Sequence, residues 1–222
     1  WGSRKAQHLV KLLALDPQLR LTTEQFLDAL WPDQDPDGLA PAFRQACYLA
    51  RRALGHPDLL VVRGGVVALA PIEAAAIDVR DFEGAAATAL RRRTADEYAA
   101  ALARYGGALL PDDRYADWVI LPAERLRALA TRLRAELAGL HEQAGADDEA
   151  EALWRQIVAD DPADEAANVG LMRLYARQGQ RQRAVQQYHQ LHGRLRDDLA
   201  VAPDPATRQL YAAILGGQYP PP

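Results

Sequence analysis

Apolar residues recur at helical spacing over the first third of the chain and predict three helices. The first is expected from Ser3 to Ala14, and the second follows Thr22, whose side chain can form a reciprocal capping box with Gln25. The third begins after Gly38 and ends at Gly55. Its buried stripe consists of apolar residues three or four positions apart, namely Phe43, Cys47, Ala50 and Leu54.

Two short apolar runs follow the third helix and flank a pair of glycines. The runs cover residues 59–62 and 66–69, and Gly64-Gly65 between them suits the positive φ angles of a two-residue hairpin turn. Three helices and a hairpin within residues 1–71 are typical of a winged helix-turn-helix domain. Such a domain presents its third helix and its hairpin, the wing, to DNA.

The last third of the chain repeats at an interval of 34 residues, the length of a tetratricopeptide repeat. The matched positions are Ala150 with Ala184, Trp154 with Tyr188, Gly145 with Gly179, and His141 with Tyr175. Helix pairs of this kind bury their apolar faces only by stacking on their neighbours. Residues 80–105 are interpreted as a divergent third copy, and residues 77–217 as one helical domain.

The fold class predicted from these patterns is mainly α. A winged helix-turn-helix with a small β-hairpin wing is followed by a tetratricopeptide-like, right-handed α-helical solenoid. Between them, residues 77–82 are predicted to form a short strand or turn before a helix. Pro122 is predicted to stand at the first position of a long helix that extends to about Gln143.

Composition narrows the class of protein further. Cys47 is the single cysteine, which excludes an internal disulfide and suits a reducing cytoplasm. No apolar run approaches the roughly 20 residues that a bilayer crossing needs, so a cytoplasmic protein without a membrane partner is predicted. No phosphate-binding Gly-Lys-Ser/Thr loop or nucleophile elbow is present, so neither an enzyme nor a cofactor is expected. His189 and His192 lack a third ligand near them in sequence, so no metal is predicted.

Charge is unevenly distributed along the chain, whose net charge is −4. Residues 1–70 contain eight basic and seven acidic side chains, a net of +1, which leaves −5 for the remainder. A net of +1 is weak for a DNA-binding domain, because affinity for DNA comes largely from neutralising phosphates. Binding would therefore depend on placing arginines on one face.

The outer face of the third helix carries such a row. Arginine can pair with guanine or phosphate, glutamine with adenine, and tyrosine with phosphate or a thymine methyl group. The alternative interpretation is a solvated helix face. The candidate DNA-contacting residues are Arg44, Gln45, Tyr48, Arg51 and Arg52 on the helix and Arg63 at the tip of the wing.

Segments spread over nearly the whole chain resemble the AfsR/SARP-type bacterial regulators. These proteins join an OmpR/PhoB-like winged helix to a tetratricopeptide-like bacterial transcriptional activator domain. The matching segments are Leu27-Asp28-Ala29-Leu30-Trp31-Pro32, Arg51-Arg52-Ala53-Leu54-Gly55, Val62-Arg63-Gly64-Gly65, Asp78-Val79-Arg80-Asp81-Phe82, Tyr105-Gly106-Gly107-Ala108-Leu109-Leu110-Pro111, Tyr115-Ala116-Asp117-Trp118, Leu171-Met172-Arg173-Leu174-Tyr175 and Val201-Ala202-Pro203-Asp204-Pro205-Ala206-Thr207.

The resemblance implies a transcriptional activator whose third helix enters the major groove of double-stranded DNA. It implies that the loop with Asp33, Asp35 and Asp37 contacts RNA polymerase or its sigma factor; the alternative is a polar loop whose aspartates cap turns. It assigns the repeat domain to dimerisation, regulation or polymerase contact, and allows for a homodimer and for flanking signalling domains.

The sequence also departs from this family in two places. The family's winged helix begins with a platform of strands, whereas this sequence starts almost at the first helix. In the wing, residues 66–69 lack the aromatic residue and the arginine that are usual there. The first departure indicates a fragment, or a variant without that sheet. The altered wing and the acidic second part support an alternative function, a protein–protein interaction module of a larger signalling protein with a degenerate winged helix that does not bind DNA.

Overall fold

The computed structural model describes residues 1–70 and 77–219 of the chain, so Pro71, the predicted end of the first domain, lies outside the described residues. Two compact units are present. The first combines Trp1–Asp81 with Gly106–Arg127, and the second combines Phe82–Tyr105 with the chain from Ala128 onward. The division into domains 1–71 and 77–217 stays a prediction.

Residues 1–70 of the first unit form three α-helices and a small antiparallel sheet. The helices are α1 (Arg4–Leu15), α2 (Thr23–Leu30) and α3 (Ala40–Leu54), and the strands are β1 (Arg20–Thr22), β2 (Leu60–Arg63) and β3 (Val66–Leu69). The strand order is β1-β3-β2, with Val67 of β3 opposite both Leu21 and Val62. Val67 is fully buried and fixes the inner face of the sheet.

Local signals set the ends of these helices. The Ser3 hydroxyl accepts from the Ala6 amide at the start of α1, and the predicted capping box of Thr22 and Gln25 forms at the start of α2. Gly55 ends α3 with a φ of 76°, in the left-handed region that favours glycine. The helices then bury a shared core whose largest members are Leu9, Leu13, Phe26, Leu30 and Phe43.

Strand β1 was not predicted from the sequence. The short strand that was one of two predictions for residues 77–82 does not form. Three residues are too short to display alternation, and β1 forms only because β3, distant in sequence, supplies its hydrogen-bonding partner. Residues from Asp78 onward are helical, not a strand: the amides of Arg80 and Asp81 both donate to the Ile77 carbonyl.

Seven α-helices follow in the rest of the described chain. They are α4 (Asp78–Arg92), α5 (Ala95–Leu102), α6 (Asp117–Ala144), α7 (Asp147–Asp160), α8 (Glu165–Arg177), α9 (Arg181–Leu199) and α10 (Pro205–Leu215). In the second unit α7 packs on α8, α8 on α9 and α9 on α10. Gly145 and Gly179, predicted at the turns between paired helices, have φ angles of 74° and 73°.

Pro122 does not begin α6 as predicted; the helix starts five residues earlier, at Asp117. A proline at this depth removes the bond that its amide would donate to the Trp118 carbonyl. The first turn is nevertheless anchored, because Val119 is buried and its amide donates to the Ala116 carbonyl. Within the described ranges, no helix combines the length and apolarity that crossing a bilayer requires.

Candidate nucleic-acid interface

Helix α3 is amphipathic. Because one face is buried in the core, the opposite face is exposed to solvent. Phe43, Ala46, Cys47 and Ala50 are buried in the core of the first unit. Burial raises the pKa of the Cys47 thiol to about 11, so this side chain is a neutral core residue. Of the predicted DNA-contacting residues, those exposed on the opposite face of α3 are Arg44, Gln45, Tyr48 and Arg52.

Arg51 differs from the other predicted DNA-contacting residues because its side chain makes a hydrogen bond within the protein. It is half-buried, and its Nε donates to the carbonyl oxygen of Leu60 at 2.8 Å. Leu60 begins β2, so this hydrogen bond ties α3 to the base of the hairpin. A spacing argument could not reveal this role, since the partner is a backbone atom outside the helix.

The wing is a tight hairpin with an exposed basic residue beside its turn. Gly64 and Gly65 have φ angles of 57° and 75°, which is the positive-φ pair of a type I′ turn. The Gly65 carbonyl accepts from the Thr23 amide at 2.8 Å, which fixes the turn to the start of α2. Arg63, which precedes the turn, is exposed, as are Val61 and Val62 on β2.

The exposed arginines of this surface lack acidic partners. Among residues 1–70 and 77–219, no ion pair or side-chain hydrogen bond involves Arg44, Arg52 or Arg63. An exposed guanidinium that is not paired with a carboxylate can bind an anion from outside the protein. The arrangement can therefore neutralise phosphates while the neighbouring Gln45 and Tyr48 offer groups for base edges.

The acidic loop before α3 exposes three aspartates, and one of them caps a short helix. Asp33, Asp35 and Asp37 are all exposed. The Asp35 carboxylate accepts from the Asp37 amide at 3.1 Å and caps a short 3-10 helix over Pro36–Gly38. This geometry favours the turn-capping interpretation for Asp35, while the carboxylates of Asp33 and Asp37 remain candidates for a partner.

A charged cluster that the sequence analysis missed lies elsewhere in the first unit. Asp113 is buried and accepts from His8 Nε2 at 2.9 Å and from Lys11 Nζ, while an Arg4 nitrogen lies 3.6 Å from it. The hydrogen bond from Lys11 lowers the pKa of the Asp113 carboxyl, with His8 adding to the effect. Positions 4, 8 and 11 share one face of α1, a basic stripe that could have indicated an acidic partner.

The two histidines weighed as metal ligands lie among aromatic rings. The ring of His192 stacks on Tyr188 at 6.0 Å, and Tyr211 Oη lies 3.4 Å from His189 Nε2. In the part of the chain that the structure describes, no group of three or more metal-binding side chains converges.

Comparison with known proteins identifies the family. The family model described as bacterial transcriptional activator domain matches residues 77–215, more than half of the chain. The chain belongs to the bacterial transcriptional activator domain family. This membership confirms the resemblance to AfsR/SARP-type regulators. The family is a class of regulators rather than of enzymes.

Two individual relatives extend the similarity beyond the bacterial transcriptional activator domain. The regulatory protein AfsR of Streptomyces coelicolor is 28% identical over 226 aligned residues, which cover 96% of this chain and 22% of AfsR. Mycobacterium tuberculosis EmbR, solved in complex with a low-affinity phosphopeptide, has a TM-score of 0.82 at 20% identity, covering 97% of this chain and 60% of EmbR. The likeness to EmbR confirms the predicted fold class. The chain spans about a fifth of the length of AfsR.

Proposed function

We propose that this chain binds double-stranded DNA through α3 and the wing, as the DNA-binding and activator part of a bacterial transcriptional regulator. The observation that carries the proposal is the outer face of α3, where Arg44 and Arg52 are exposed and have no acidic partner within residues 1–70 and 77–219. Arg63 adds a third such cation on the wing. The net charge of the first 70 residues is low, but three of their cations lie on one helix–hairpin module, where they can neutralise phosphates together.

Within this proposal, the α3 residues divide by the contacts they can make. Arg44 and Gln45 lie in the N-terminal half of α3, the part that reaches base edges in helix-turn-helix proteins. Arg52 and Arg63 suit phosphates, since a positive charge at the end of a helix or the tip of a wing positions the domain without reading sequence. Arg51 acts mainly by holding α3 to β2.

The second unit is proposed to serve dimerisation, regulation or contact with RNA polymerase in the cytoplasm. The acidic loop of Asp33, Asp35 and Asp37 is proposed as a contact for RNA polymerase or its sigma factor. Flanking signalling domains are expected in the whole protein, because the relatives extend well beyond the matched region.

The direct test is binding to a fluorescent random-sequence duplex, followed by anisotropy at several salt concentrations. We expect a dissociation constant of about 10⁻⁴–10⁻⁶ M near physiological salt, tightening as salt falls. Arg44→Ala and Arg52→Ala should each weaken binding, and each lost phosphate contact should reduce the salt slope by about 1. Arg208→Ala, an exposed arginine on α10, is the matched control and should leave binding unchanged.

The same experiment discriminates the alternative function. If no binding appears at low salt with about 100 µM protein, the weak limit of the usual non-specific range, the winged helix is degenerate and the interaction-module interpretation replaces this proposal. Equal loss of binding in Arg208→Ala and Arg44→Ala would likewise reject α3 as the reader. Arg51→Ala is unsuitable as the first test, since it also breaks the hydrogen bond to Leu60.

A further inference from the structure

The second unit contains a polar groove that the proposed DNA contacts do not use. Its volume is about 290 Å³. One wall is a single face of α6, where residues 132, 136, 139 and 143 lie three or four positions apart. The other wall comes from the end of α4 and from α5. The side chains that matter for its chemistry are Arg93, Tyr98, Arg132, Glu136 and Gln143.

Tyr98, one of the residues that line this groove, carries an unsatisfied hydrogen-bond donor. Its side chain is fully buried, and its hydroxyl has no hydrogen-bond partner among the described residues. A buried hydroxyl without a partner is unfavourable, and native structures seldom retain one without a reason. A ligand oxygen that accepted from this hydroxyl would remove the penalty.

The charge of the groove favours an anion. Arg93 lies 3.3 Å from Glu136, so these two side chains largely neutralise each other. Across the described part of the chain, no ion pair involves Arg132, so the groove keeps one uncompensated positive charge. Gln143 adds an amide that can donate or accept. A metal cation would face two guanidinium groups and a single, already paired carboxylate.

We propose that this groove binds a small molecule through a carboxylate or phosphate group, held by the Arg132 guanidinium and the Tyr98 hydroxyl. The volume lies at the small end of the range for ligand pockets, so it suits a compact anion rather than a nucleotide-sized molecule. Guanidinium groups match the paired oxygens of carboxylate and phosphate. The proposal is independent of DNA binding, because it rests only on the second unit.

The test is a ¹H–¹⁵N NMR titration of the whole chain with inorganic phosphate and, separately, with acetate. Ionic strength is held constant with chloride, because phosphate also stabilises proteins by exclusion from their surface. We expect saturable shifts at residues 93–98 and 132–143. Saturation by phosphate alone indicates a phosphorylated ligand, saturation by acetate alone a carboxylate ligand, and either outcome supports the proposal.

Three variants make the result specific. Arg132→Gln should weaken the affinity about tenfold or more, since a charged hydrogen bond is lost. Tyr98→Phe should weaken it about fivefold while leaving the thermal stability of the ligand-free protein equal or higher, which a purely structural hydroxyl would not do. Arg91→Gln is the matched control, because Arg91 is exposed on α4 and its guanidinium donates to Thr88 at 3.2 Å.

Two results would overturn the assignment. One is the absence of saturable shifts at these residues with either anion. The other is an equal affinity in the Arg132→Gln and Arg91→Gln proteins, which would mean that the anions act on the surface charge in general.

Discussion

Two sets of arginines, one on α3 in the first unit and one on the repeat helices of the second unit, have opposite surroundings. In the second unit, Arg177 lies 2.8 Å from Glu142, and Arg183 lies 2.8 Å from Glu151 with its guanidinium over the Tyr175 ring. On α3, by contrast, Arg44 and Arg52 have no acidic partner among the described residues. Paired arginines join neighbouring repeat helices, whereas the unpaired ones on α3 make no described contact that would stabilise the fold. The comparison shows that arginine content alone does not identify a candidate DNA surface. It is also necessary to know which arginines already pair with a carboxylate within the protein.

The sharpest expected effect on stability lies in the packing of the repeats. A Cβ at Gly170 on α8 would come within 2.6 Å of the Trp154 ring, closer than real Cβ contacts. Trp154 cannot withdraw easily, because its Nε1 donates to Glu142 at 2.7 Å. Gly170→Ala should therefore lower the free energy of unfolding by about 3 kcal/mol, the upper part of the range for overpacking. Urea unfolding followed by circular dichroism measures this.

Gly193→Ala is the matched control for that prediction. Gly193 lies inside α9, and a Cβ there would meet nothing within 4 Å. Alanine favours helix over glycine by about 0.8–1 kcal/mol, so this variant should be more stable than the parent chain. A destabilised Gly193→Ala, or a neutral Gly170→Ala, would contradict the packing described for the repeats.

The next largest expected loss of stability, this time in the first unit, follows removal of the Asp113 carboxylate. Asp113→Asn removes the charge that Lys11 and His8 bond, so we expect a loss of about 2 kcal/mol, typical of hydrogen bonds to charged groups. Hydrogen exchange measured by mass spectrometry should increase in α1 and around residue 113. Asp112→Asn, at the exposed neighbouring position, should change neither quantity.

The same contact predicts a dependence of stability on pH. The Asp113 carboxyl has an ordinary pKa of 3.8, and the hydrogen bond from Lys11 lowers it in the folded chain. Its stabilising contribution is therefore complete above pH 3.8 and is lost as the pH falls through the lower folded-state pKa. The basic groups that face the carboxylate are Arg4, His8 and Lys11. An acid titration of Asp113→Asn should show a shallower loss of stability than the parent; an identical profile would exclude the carboxylate as its source.

Sequence patterns predicted the parts of this fold that depend on local spacing. The stripe of Phe43, Cys47 and Ala50, the Gly64-Gly65 turn and the capping box at Thr22 all rest on neighbours within four residues. Features that depend on distant partners were missed. Strand β1 needs β3, and Asp113 needs α1, more than a hundred residues away in sequence.

The candidate DNA surface divides in the same way. Helical periodicity predicted which residues share the outer face of α3, because that property is local. It could not show that Arg51 donates to the Leu60 carbonyl, or that Arg44 and Arg52 lack acidic partners in the part of the chain that the structure describes. Whether this face binds DNA stays a prediction until binding is measured.

The smallest expected effect tests the opening comparison directly. Arg183→Ala should lower the free energy of unfolding by a small but measurable amount, because an exposed ion pair contributes little and the cation–π contact with Tyr175 is lost with it. Arg52→Ala should leave it within about 0.5 kcal/mol of the parent, since no described contact is lost. The same two variants should reverse their order in duplex binding, where only Arg52→Ala has an effect. Equal changes in stability would mean that partners do not distinguish the two sets of arginines, and the structural argument for α3 as a DNA surface would then lose its basis.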